Sequence, residues 1–164
     1  MPDGYWDDVK GGWLDSKLIA QARKEEMAFV SKHCLYERVP REECYRETGK
    51  APIKTGWADT NKGSEDQPNI RSRWVAKEYN TCARPDLFAA TTPLEGVKLV
   101  VSDAASAESE DVVLAVIDVR RAYFYAKAKR KLYVELPPED WQEGDEHMCG
   151  RLNYSLYGLS LIHI

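Results

Sequence analysis

The run Val112-Val113-Leu114-Ala115-Val116-Ile117 constrains this chain more than any other feature. It carries no polar position to offer to water, it is rich in β-branched residues, and it is far too short to span a membrane. Such a run predicts a strand buried on both faces, lying centrally in an antiparallel sheet. Asp118 ends it. A carboxylate at the exit of a buried strand can be aimed rigidly into a cleft. Alone, a strand-end aspartate is ordinarily a cap or turn residue. Paired with a second carboxylate, it could hold magnesium ions for phosphoryl transfer.

The remaining elements are read around that strand. Residues 14 to 34 predict an amphipathic helix, with Leu14, Leu18, Ile19, Ala22, Phe29 and Val30 near one face. The cluster Arg23-Lys24-Glu25-Glu26 interrupts that face in part. Residues 36 to 52 hold Pro40, Gly49 and Pro52 and read as an irregular connection. Strands are expected over Ile53 to Thr60 and Asn69 to Tyr79, joined by turn chemistry in Asn61-Lys62-Gly63 and Asp66-Gln67-Pro68. Arg71, Arg73 and Lys77 then share one face of the second strand, because alternate residues do. Thr92-Pro93-Leu94-Glu95 predicts a capping box opening a helix that ends between Ser106 and Asp111. Leu132 to Leu136 is a further strand, stopped by Pro137-Pro138, and Met148 to Leu159 is strand or short helix. The order is that of an α+β fold.

Charge bears on partners. Of 164 residues 43% are hydrophobic and 30% charged, a globular balance, and the net charge is −4. Dedicated nucleic-acid-binding domains are usually basic, so any basic surface here must be local. From Leu99 to Val119 there is no Lys or Arg, whereas the next twelve residues hold Arg120, Arg121, Lys127, Lys129, Arg130 and Lys131 and no acid. That strip is either a solvated face or a phosphate-facing surface beside Asp118. The four cysteines form no C-x-x-C pair, and His33-Cys34 with Cys44 is a poor metal signal, so zinc is not expected. Met1 to Gly12 is polar and acidic, unlike a signal peptide. An intracellular chain with reduced thiols and no membrane partner is the expectation.

Asp118-Val119-Arg120-Arg121-Ala122-Tyr123-Phe124 resembles the first catalytic motif of reverse transcriptases, an aspartate followed by three residues, an alanine and two aromatics. The flanks resemble copia-type retrotransposons in particular. Gly56-Trp57-Ala58-Asp59-Thr60-Asn61-Lys62-Gly63 and Ile70-Arg71-Ser72-Arg73-Trp74-Val75-Ala76-Lys77-Glu78 are similar to their fingers segments. Leu132-Tyr133-Val134-Glu135-Leu136-Pro137-Pro138 is similar to the strand after the catalytic motif. Cys149-Gly150-Arg151-Leu152 and Ser155-Leu156-Tyr157-Gly158-Leu159 resemble the block that follows, and Ala22-Arg23-Lys24-Glu25-Glu26-Met27 the helix that opens the domain. The blocks occur in the family's order from about residue 20 to 159, and that order is more specific than any single block.

The resemblance implies the fingers and part of the palm of a right-hand polymerase over residues 49–159, preceded by a helical segment at 1–48. Residues 160–164 do not resemble the family's continuation. It implies RNA-directed DNA synthesis by two-metal chemistry, with Mg2+ or Mn2+ as cofactor and an RNA or DNA template-primer and deoxynucleoside triphosphates as partners. Asp118 would be the first catalytic and metal-binding aspartate, with the Val119 carbonyl as a second metal ligand. Arg73, with Arg71, would grip the triphosphate, a task suited to planar guanidinium donors. Arg121 and Ala122 would offer backbone N–H groups to the same phosphates, and Tyr123 would lie under the sugar and exclude a 2′-hydroxyl. Arg73 and Asp118 would face one cleft. The family's second, Asp-Asp carboxylate motif has no counterpart within 1–164, so this stretch is expected to be inactive alone. The rival reading is a non-catalytic nucleic-acid-binding or structural remnant of a transposable element.

Overall fold

A computed structural model describes residues 4–78, 92–106 and 112–159. They fall into two compact units, one built from Met1–Thr81 with Arg121–Ile164, the other from Cys82–Arg120. Mixed helices and antiparallel sheets make this an α+β structure.

The first unit opens with two short strands, β1 (Tyr5–Trp6) and β2 (Trp13–Leu14), paired antiparallel. The turn between them is held by Asp7. Its carboxylate accepts hydrogen bonds from the amides of Val9 and Lys10, and from the Thr60 hydroxyl and Asn61 amide across the fold. Helix α1 (Ser16–Lys32) follows, capped by the Asp15 carboxylate, which accepts from the Lys17 and Leu18 amides. Its extent matches the expected helix, but its inner face does not. Ile19, Glu26, Met27 and Val30 are buried, whereas Leu18 is exposed. The apolar stripe alone left that rotation open, and an ion pair to Glu26 turns the acid inward.

The irregular connection expected over 36 to 52 is instead a strand and a helix, β3 (Tyr36–Pro40) and α2 (Arg41–Thr48). Pro40 cannot continue a helix backwards, so it ends the strand and precedes the first helical residue. Gly49, at φ +67°, closes α2 in the left-handed region. Two of the three residues read as breakers, Pro40 and Gly49, are thus its boundaries.

Strands β4 (Thr55–Asn61) and β5 (Ile70–Ala76) form the expected hairpin, registered from Thr55 opposite Ala76 to Asn61 opposite Ile70. Asn61 organises the tip, its side-chain oxygen accepting from the Gly63 and Asn69 amides. The second sheet has the order β3–β7–β6, with β6 at Tyr133–Val134 and β7 at Met148–Leu152. The strand expected over 132–136 thus shrinks to two residues, and β7 begins the 148–159 segment as a strand. A core of Met27, Val30, Leu35, Trp74, Ala76, Phe124, Leu132, Val134, Leu152, Leu156 and Leu159 joins α1, β5, β6 and β7.

The second unit contains helix α3 (Leu94–Ala105) and the segment 112–119. The capping box does not form. Pro93 is the cap residue and makes no side-chain hydrogen bond, which leaves Thr92 one position too early to reach the helix amides. The central buried strand over Val112 to Ile117 is not observed either. The segment has no regular secondary structure, and Val113, Val116 and Ile117 are 87%, 94% and 82% exposed. β-Branched residues favour strand geometry but cannot supply a partner edge. The sheets among the described residues are built from other segments. The tail of the expected second strand at Tyr79, residues 107–111 of the acidic loop, and residues 160–164 lie outside the described residues.

Candidate functional site

β5 presents Arg71 and Arg73 on the face opposite buried Ser72, Trp74 and Ala76, as a period of two requires. The next contribution comes from a 3-10 turn at Ala122–Tyr125, entered through Arg121 at φ +54°. A left-handed non-glycine residue is uncommon and needs support. Here Arg121 Nε donates to the Glu26 carboxylate at 2.8 Å, Nη2 makes an ion pair with the same oxygen at 2.8 Å, and the guanidinium lies 4.3 Å from the Phe29 ring centroid. The turn sends Phe124 into the core and leaves Tyr123 at 39% exposure.

The third contribution is the loop after β7. Tyr157 bridges to Val75 in parallel fashion, and its carbonyl accepts the Ala76 amide at 2.7 Å. Gly158 follows at φ +80°, and a Cβ there would lie 2.1 Å from the Ala76 carbonyl oxygen. Only glycine lets the loop come this close. The Tyr157 ring consequently meets Tyr123 at 5.1 Å and Phe124 at 5.2 Å, with the Arg73 guanidinium 5.8 Å from its centroid. Burial pushes the Tyr157 hydroxyl pKa up, Glu26 adds to this, and the positive charges of Arg71, Arg73 and Arg121 oppose it. Three cations therefore lie within electrostatic reach of one phenol.

Of the residues singled out in the sequence, Arg71, Arg73, Arg121, Ala122 and Tyr123 belong to the first unit, where Arg73 and Tyr123 meet the Tyr157 ring. Asp118 and Val119 belong to the second unit, on the exposed segment that follows α3. Their oxygens have the hardness that magnesium or manganese prefers, but two oxygens fill only part of an octahedral shell. Among the described residues no three His, Cys, Asp or Glu side chains gather to hold a metal. The described residues thus offer part of a ligand set.

Two residues of the cluster were not assigned a role from sequence. Tyr157 sits in the block Ser155–Leu159, whose resemblance was seen without a task for the aromatic. Glu26 is seven residues after Ile19 and four before Val30, a spacing that puts it on the buried face of α1. The basic strip is partly neutralised, since Lys131 pairs with Glu47 at 2.6 Å and Arg130 with Glu78 at 3.7 Å, while Lys127 and Lys129 are exposed. No helix among the described residues is long and apolar enough to cross a membrane.

On the first unit, then, the Arg71/Arg73 face of β5, the turn at Ala122–Tyr125 and the loop carrying Tyr157 lie together. The family described as reverse transcriptase (RNA-dependent DNA polymerase) matches residues 45–163, and the chain belongs to it. It is similar to the retrovirus-related Pol polyprotein from transposon TNT 1-94 of Nicotiana tabacum, with 28% identity over 150 residues. That match covers 88% of this chain and 11% of the relative, so the chain spans about a tenth of the relative's length. No solved structure matches.

Proposed function

We propose that this chain contributes the fingers and part of the palm of a right-hand polymerase that copies RNA or DNA templates into DNA. One observation carries the reading: Arg73 of β5 and Tyr123 of the 3-10 turn, drawn from two separate stretches of sequence, meet at the Tyr157 ring on one unit. Arg73 and Arg71 hold the triphosphate of a deoxynucleotide through paired guanidinium donors. The amides of Arg121 and Ala122 receive phosphate oxygens, since the first N–H groups of a helical turn have no acceptor within it. Tyr123, still partly exposed, lies under the sugar, where its ring leaves no room for a 2′-hydroxyl. Asp118, with the Val119 carbonyl, contributes oxygens to Mg2+ or Mn2+, which when bound stabilises the attacking and leaving oxygens of nucleotidyl transfer.

The test is equilibrium binding of a deoxynucleoside triphosphate to residues 1–164, with Arg73→Ala as the comparison. Loss of charge-assisted hydrogen bonds worth about 1.5–3 kcal/mol weakens binding roughly tenfold or more. Equal affinity in wild type and variant overturns the assignment. Absence of any nucleotide or nucleic-acid binding at low salt favours a structural remnant instead.

A further inference from the structure

Resting on the nucleotide reading of this same site, we propose that Tyr157 is a positioning residue for sugar selection: its ring is the wall that holds Tyr123 in place and ties it to Arg73. The geometry assigns the role. Tyr123 is exposed on a short 3-10 turn whose next residue, Phe124, points into the core. A ring that excludes one hydroxyl must be held to a fraction of an ångström, and an exposed tyrosine on a short turn is not so held without a wall. Tyr157 supplies it, at 5.1 Å and 54° to Tyr123, a tilted packing favourable for aromatic pairs.

The wall is itself fixed. The Tyr157 backbone is pinned to β5 by the Ala76 hydrogen bond and by the close approach at Gly158, and its ring backs onto buried Phe124. The same ring lies against Arg73, so the residue that would contact phosphate and the residue that would contact sugar share one support. Removing the Tyr157 ring frees Tyr123 against the sugar, whereas Arg73, 5.8 Å from the ring centroid, keeps its charge and its place on β5 beside the phosphates.

The experiment measures affinity of residues 1–164 for dGTP, GTP and inorganic tripolyphosphate in magnesium buffer. It compares wild type, Tyr157→Phe, Tyr157→Leu, Tyr123→Ala and the double variant Tyr123→Ala/Tyr157→Leu. Tyr157→Phe keeps the ring and is expected to keep the wild-type preference for dGTP. Tyr157→Leu is expected to reduce that preference roughly threefold or more, the scale of one lost aromatic pair, while tripolyphosphate affinity stays within about twofold. In the Tyr123→Ala background the Tyr157→Leu change is expected to add nothing, because the wall then has nothing to hold. A general loosening of the fold would weaken all three ligands together and leave the ratio unchanged. An unchanged ratio in Tyr157→Leu, or a further drop in the double variant, overturns the inference alone. Absence of saturable dGTP binding by wild type sinks the nucleotide reading and this inference with it.

Discussion

An ideal Cβ on Gly158 would sit 2.1 Å from the Ala76 carbonyl oxygen, at a backbone φ of +80° that side chains rarely adopt. The clash is with backbone on β5, which cannot swing away as a side-chain tip could. Gly158→Ala is therefore expected to destabilise the first unit by about 2 kcal/mol or more, the sum of left-handed strain and displaced packing. Urea unfolding followed by tryptophan fluorescence measures it, and an unshifted midpoint would refute the close approach. Glu26 poses a different residue-scale problem. It is 2% exposed, and one carboxylate oxygen receives both Arg121 contacts while the other has no partner among the described residues. Arg121 is partly solvated and can recover hydration if the acid is removed, so Glu26→Ala should cost only about 1–3 kcal/mol. The more telling expectation is loss of nucleotide affinity in that variant, because the left-handed Arg121 loses the contact that holds it. Retained affinity would show that the turn at 121–125 stands without Glu26.

The elements that could be read from sequence are those whose determinants are local. Helix α1 announces itself by its apolar periodicity, and the β4–β5 hairpin by the turn chemistry that begins at Asn61. Arg71 and Arg73 could be assigned to one face for the same reason. β3 and α2 could not, because among the described residues β3 pairs only with β7, and nothing near residue 36 signals that distant strand. The burial of Glu26 was equally hidden, since its partner lies 95 residues away. Two elements carry pH-dependent expectations. Burial, and then a hydrogen bond to Glu43, pushes Tyr133 on β6 up to about 12, and burial raises Cys149 on β7 to about 11. Both are protonated and neutral in the fold and ionise earlier when unfolded. Their contribution is complete below the unfolded values near 9 and 10 and is lost as pH rises through 11 and 12. Alkaline melts should therefore fall off above about pH 9, and Tyr133→Phe should flatten the upper part of that loss. Asp7 behaves oppositely. Its four donors, the Asn61 amide first, hold its carboxyl well below the usual carboxylate range. The β1–β2 clasp is thus fully held above about pH 4 and released only as pH falls towards the depressed value. Amide exchange at Asn61 should report that release, and Asp7→Asn should accelerate exchange at neutral pH; no acceleration would contradict the clasp.

At the scale of the whole molecule, the two units differ in how much apolar surface they cover. The first has a continuous core, whereas α3 has no buried residue and Val113, Val116 and Ile117 face water. Apolar surface of that kind drives association. A polypeptide of residues 1–164 is expected to self-associate at micromolar concentration, and Val113→Lys with Val116→Lys to shift it towards monomer in sedimentation velocity. A monodisperse wild type would count against this. The pairing of β3 with β7, Pro40 opposite Met148 at one end, has a consequence of another kind. On a ribosome adding about 5–20 residues per second, the first strand waits roughly five to twenty seconds for its neighbour to be made. The helical segment and the β4–β5 hairpin can form meanwhile, but residues 36–40 have only a free edge to offer. During synthesis, then, residues 36–40 hold open an edge that β7 later closes.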